Sequence, residues 1–124
     1  VTTLDKLLIS EKNISLIKID VEGYEKQVLI GCKETLKNPN LNVIIIELND
    51  SNQQYDYNEN ETISIIKKNG FLPYKYIYPD NVLVPLEKKN FDSYNTFFIR
   101  NINFVKNRIK QKSVIINKNT IELN

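Results

Sequence analysis

The stretch "LIKIDVEGYEK", residues 16–26, places Asp20, Glu22, Gly23 and Glu25 within six positions, directly after an apolar run. A second apolar run, "NVIIIEL" at 42–48, also closes on an acid, Glu47. Carboxylates set this way can orient or deprotonate a hydroxyl, or clamp a metal. Asp20 and Glu22 are two apart, so they face one side for as long as extended geometry lasts. Gly23 removes a side chain where backbone would approach a ligand. A purely structural reading stands beside this one: Glu22 and Glu25 favour a helix start, Gly23 eases a turn, and Asp20 is solvated. Glu47 weighs against it, because a second, unrelated strand ends in an acid too.

The elements that position these residues follow from periodicity. "TTLDKLL" offers Thr2 with Asp5 three positions later, a capping-box-like start for a short helix near residues 4–9. Ile14 to Val21 reads as a parallel, central strand covered on both faces for most of its length. From Glu22 the period changes, and Tyr24, Val28, Cys32 and Leu36, four apart, mark the inward stripe of one helix stopped by Pro39. Tyr24 is therefore expected in the core, and Cys32 as a small buried apolar residue. Residues 42–48 form the second buried strand. "ETISIIKKNGF" gives a third helix ended by Gly70 in a left-handed cap. "FLPYKYIY" reads as a strand that Pro73 assigns to an edge or a bulge. A loop with Pro79, Asp80 and Asn81 leads through "NVLVPL" to the last strand, "YNTFFIR". From "NINFVKNRIK" onward a short helix or extended arm is expected. Between them, Tyr55 and Tyr57 lie in a polar loop and could line a substrate cleft.

Alternating strands and helices imply right-handed crossovers and a parallel sheet, and a final strand pair without a helix between implies an antiparallel addition. Strands running the same way deliver Asp20, Glu22 and Glu47 to one rim, within roughly 10 Å of each other, where open α/β folds bind ligands.

The totals exclude much other chemistry. The chain has 124 residues, 41% of them hydrophobic, which suits one small domain or part of a larger one. Lys and Arg number 17 against 15 Asp and Glu, and the scattered lysines give no footprint for nucleic acid or an anionic membrane. With no histidine and a single cysteine, Ser-His and Cys-His pairs, an internal disulfide and a zinc site are all ruled out. No run approaches the ~20 apolar residues that span a bilayer, and no signal-peptide pattern is present, so a reducing, cytoplasmic location is expected.

"TLDKLL", "IKIDVEGYEKQVLIG" and "VIIIEL" together resemble the second half of FkbM-type methyltransferases: a T-L-D start, a strand ending K-I-D-V-E-G-x-E, a V-L-x-G helix, and a strand ending in Glu. Cys32 stands where that pattern carries a small Ala. The resemblance covers residues 2–48 well and "NTFF" more loosely. It implies a Rossmann-like class I α/β sheet of which this chain holds the C-terminal strands, S-adenosylmethionine as cofactor, and a hydroxyl of a small molecule or glycan as acceptor. It implies Asp20 and Glu22 as catalytic, Asp20 and Gly23 as cofactor-binding, and Glu47 and Glu25 as substrate-binding. The family's glycine-rich loop and ribose-holding acid have no counterpart, since the only glycines are Gly23, Gly31 and Gly70. Residues 1–100 are thus expected to be the C-terminal part of the domain, with 101–124 a tail. The missing N-terminal half would pair with the first strand and act as the chain's partner. Two rival readings remain: a non-catalytic module whose open sheet edge accepts a strand, and a metal-dependent nuclease built on D-x-E.

Overall fold

The computed structural model describes residues 1–49, 59–110, 113–116 and 119–122; Tyr55 and Tyr57 lie outside them. The elements run α1 (Leu4–Leu7), β1 (Leu16–Ile19), α2 (Glu25–Ile30), α3 (Lys33–Lys37), β2 (Val43–Glu47), α4 (Glu59–Lys68), β3 (Leu72–Ile77), β4 (Val82–Pro85), β5 (Asn95–Ile99), α5 (Ile102–Ile109), β6 (Ser113–Ile116) and β7 (Asn119–Glu122). Five strands form one mixed sheet in the order β1-β2-β5-β3-β4, and β6 and β7 form a separate antiparallel hairpin. β1 and β2 are parallel, with Ile17 beside Ile44 and Ile19 beside Ile46. β5 runs antiparallel between β2 and β3.

The period-2 alternation of β2 and β5 sorts the core into two faces. Ile44, Ile46 and Phe98 point to one side and pack with Ile19, Leu29, Cys32, Leu36, Ile63 and Ile66 under α2, α3 and α4. Val43 and Ile99, with the half-buried Ile45 and Phe97, point to the other, where Ile102, Val105 and Ile109 of α5 cover them. The segment after residue 101 therefore begins as a helix docked on the sheet, its first turn capped by the Asn101 side chain on the Phe104 amide at 3.0 Å.

Several expectations are corrected. β1 is shorter than Ile14–Val21, lies at an edge of the described sheet rather than at its centre, and is covered on one face only, because α5 sits over β2, β5 and β3; Leu16 is 49% exposed and Lys18 is exposed. The single helix from Glu22 is two, broken at Gly31 and Cys32, with Glu22 outside both. Tyr24 precedes the first turn of α2 and is 54% exposed, so it is not core, whereas Cys32, Leu29 and Leu36 are fully buried. Pro73 lies in an interior strand and the edge belongs to β4. The Pro73 carbonyl accepts from the Leu86 amide at 2.9 Å, so its donor-less nitrogen faces the same side, one step past the last β3–β4 register pair. Gly70 adopts φ +90° at the end of α4, as its position required.

The start of the chain is tied differently from the expected capping box. Thr3, not Thr2, caps α1, through the Lys6 amide at 3.4 Å. Asp5 reaches instead to α3, accepting from the Glu34 amide at 3.0 Å, the Thr35 amide at 2.8 Å and the Thr35 hydroxyl at 2.7 Å. Those amides are free donors of a helix first turn, so Asp5 caps a helix some 30 residues away. Gly31 lets α1 approach: a Cβ there would lie 3.3 Å from both Cβ and Cγ2 of Thr3. At the other end of α3, the Arg100 guanidinium donates to the carbonyls of Asn38 (2.9 Å) and Leu36, and lies 4.1 Å over the Phe71 ring. An anion at the N-terminus and a cation at the C-terminus match the polarity of the helix.

Candidate functional site

Parallel register carries the acids to a common rim. Ile19 pairs with Ile46, so one residue further along Asp20 comes level with Glu47, on strands about 4.8 Å apart. Both lie on the face opposite the buried Ile19 and Ile46. Asp20 is exposed and accepts a hydrogen bond from Lys18 Nζ at 3.0 Å.

Beyond Asp20 the chain turns sharply. Glu22 has φ +44° and Gly23 φ +101°, two successive residues in the left-handed region. For glycine this is free, but for Glu22 it costs about 1 kcal/mol. The turn is held from within: Glu25, only 4% exposed, accepts the Gly23 amide on both carboxylate oxygens, at 3.0 and 3.1 Å. Glu25 therefore satisfies a backbone donor at the start of α2, while the Glu22 side chain is left facing solvent. The strain at Glu22 sits where the sequence placed its candidate chemistry.

Glu47 is half-buried and faces Asn95 across the antiparallel β2–β5 pair. The Asn49 amide lies 3.4 Å from Glu47 Oε1. Asn95 Oδ1 is buried and has no hydrogen-bond partner among the described residues. A buried acceptor left open is uncommon in a folded chain. Asn95 was not anticipated from the sequence, since only the β2–β5 pairing brings it beside Glu47.

The rim thus gathers Asp20, Glu22, Glu47 and Asn95, with Gly23 in the connecting turn and Glu25 beneath it. Among the described residues no three acids or cysteines approach closely enough to hold a metal ion, so the acids share a rim without forming a metal cluster. No helix among them is long and apolar enough to cross a membrane. Cys32 is buried behind α3, its Sγ 3.4 Å from the Leu29 carbonyl. Burial, reinforced by the Asp5 carboxylate, pushes its thiol up to about 12, so it offers no nucleophile.

Open α/β sheets bind ligands at the carboxyl ends of their strands, which is the end where Asp20 and Glu47 lie. The family model of the methyltransferase FkbM domain matches residues 1–73, from α1 to the start of β3. The chain belongs to the FkbM methyltransferase family. No curated protein and no solved structure matches it.

Proposed function

We propose that the chain forms the C-terminal half of a Rossmann-like, S-adenosylmethionine-dependent O-methyltransferase domain, with the rim of Asp20, Glu22 and Glu47 as the place where donor and acceptor meet. The observation that carries this reading is the K-I-D-V-E-G-x-E turn: within the family match, it sets the exposed Asp20 level with Glu47 and holds the exposed Glu22 just beyond it in a strained, left-handed conformation. The β1-β2-β5-β3 order, with β5 reversed, supports it, being the order expected for the fourth, fifth, seventh and sixth strands of such a sheet.

When bound, the cofactor supplies a methyl group on a positively charged sulfur. The residues present fit that end of it: an acid-rich rim favours the cation, and the Gly23 turn admits close approach of backbone. They do not fit the adenosine, because Gly31 packs on Thr3 and Gly70 ends α4, leaving no glycine loop for it. We infer that residues outside 1–124 complete the cradle by pairing with β1. Its outer edge is unpaired among the described residues, and its Leu16 is half-exposed.

At the rim, Asp20 would accept the hydrogen of the acceptor hydroxyl and orient its oxygen, while the cofactor, held there, would supply the methyl group. Lys18 holds that carboxylate in place from the same strand face. Glu22 adds negative charge across the turn, Glu47 and Asn95 orient the acceptor from the neighbouring strands, and Glu25 keeps the turn in shape rather than touching substrate. Displacement at carbon requires oxygen, carbon and sulfur in line, so this positioning supplies much of the rate.

Calorimetry on the protein extended upstream to its full reading frame tests the donor half of the reading. One equivalent of S-adenosylmethionine is expected to bind, and Gly23→Val to weaken it by about tenfold or more. Absence of binding by the full-length protein would refute the assignment.

A further inference from the structure

The loop between β4 and β5 lies beyond the family match and is built to hold two aromatic rings out to solvent. Phe91 is 79% and Tyr94 66% exposed, yet the backbone that carries them is pinned throughout. The Asn90 amide donates to Thr96 Oγ1 at 2.9 Å, the Asp92 amide to Asn90 Oδ1 at 3.0 Å, and the Leu48 amide to the Tyr94 carbonyl at 2.8 Å. Beneath them Lys89, 6% exposed, donates to Glu59 at 2.9 Å and sits 5.5 Å from the centre of the Phe91 ring. The buried ammonium lies beside the ring, most of which stays open to solvent. Solvent-facing apolar rings on so ordered a loop contribute little to the fold. They are arranged as a surface for something else.

Between this loop and Leu48–Asn49 opens a cavity of about 320 Å³. It starts one residue past Glu47, at the β2–β5 end of the acid rim. Its polar groups are of both kinds: the Ser93 and Tyr94 hydroxyls can donate, and Asp92, whose Oδ2 is paired with Lys75 at 2.6 Å, keeps its second oxygen as an acceptor. An alkyl chain would bury these groups without partners. A phosphate would meet Asp92 and Glu47 with its own negative charge, since Lys89 and Lys75 are already paired with acids. An uncharged ring with hydroxyls around its edge and C–H bonds on its faces matches both features: the faces lie on the aromatic rings and the hydroxyls meet groups that donate and accept.

We propose that this cavity is a binding site for an uncharged sugar ring; in so far as the rim performs methyl transfer, that ring carries the accepting hydroxyl. Saturation-transfer NMR on the full-length protein, with no methyl donor present, reads the binding apart from catalysis. The probes are methyl glycosides of glucose, galactose, mannose, rhamnose and N-acetylglucosamine, with cyclohexanol and glucose 6-phosphate as controls. At least one glycoside is expected to bind with a Kd on the order of 1 mM. Phe91→Ala and Tyr94→Ala, at exposed positions, are each expected to weaken it by about tenfold with the protein's own spectrum unchanged. Binding by none of the glycosides, cyclohexanol or glucose 6-phosphate binding equally well, or glycoside binding untouched by both substitutions would overturn the proposal. If the sugar binds but no methyl is transferred, the catalytic reading fails and the site stands.

Discussion

Where β1 and β2 begin, each end of the nearby helix α3 is closed by a charged side chain from a distant part of the chain. Asp5 satisfies its first-turn amides and Arg100 its last carbonyls. Where the same strands end, Asp20 and Glu22 are exposed, Glu47 is half-buried, Glu22 is held in a left-handed conformation, and Asn95 Oδ1 has no partner among the described residues. At the first end charged side chains close a helix, and at the second two acids stay exposed to solvent. The contrast separates charges that hold the fold from charges that the proposed function assigns to donor and acceptor.

Substitutions at the closed end should lower stability, and those at the open end should not. Arg100→Met removes two charge-assisted bonds to carbonyls and the contact with Phe71, and should cost about 3 kcal/mol in chemical denaturation. Asp5→Ala uncaps α3 and should cost about 2 kcal/mol. Burial alone would raise the Asp5 carboxyl, but hydrogen bonds from Thr35 and the Glu34 amide outweigh it and hold it below its ordinary 3.8. A folded-state pKa below the unfolded one means that this stability is present above about pH 4 and is lost as the pH falls through the folded value. The alanine variant should lose that part of the acid dependence. Gly31→Ala presses a methyl group on Thr3 and should cost about 1 kcal/mol by the same measurement.

At the open end the sign reverses. Glu22→Gly should raise stability by about 1 kcal/mol by relieving the left-handed strain while lowering methyl transfer. Asp20→Asn loses only an exposed ion pair and should change stability by less than about 0.5 kcal/mol. The smallest expected effect is at Cys32, whose buried thiol should stay unmodified by iodoacetamide at pH 8 until the protein unfolds. A rim variant that unfolded the protein, or an Asp5 variant that did not weaken it, would break the contrast.

The open end was the more legible in the sequence. Two apolar runs ending on acids suffice to place Asp20 and Glu47 together once the strands are parallel, because each run is itself a short local pattern. The closed end depends on contacts across 30 to 64 residues, which no short pattern signals, so Asp5 was read as capping its own helix. The break at Gly31 was hidden because Cys32 and Leu36 continue the four-residue spacing through it. Tyr24 fitted that same spacing, but the helix begins only after it. The resemblance implies Glu25 as substrate-binding, and its burial on the Gly23 amide is a property of the turn that the sequence pattern does not show. Asn95 and the rings at Phe91 and Tyr94 carried no signal because their meaning arises from β5 pairing beside β2.

Single-turnover transfer of labelled methyl from S-adenosylmethionine by the full-length protein, comparing Asp20→Asn with the parent, tests the central assignment most directly. A loss of about 100-fold or more, with folding unchanged, is the expected result; transfer at the parental rate would contradict it.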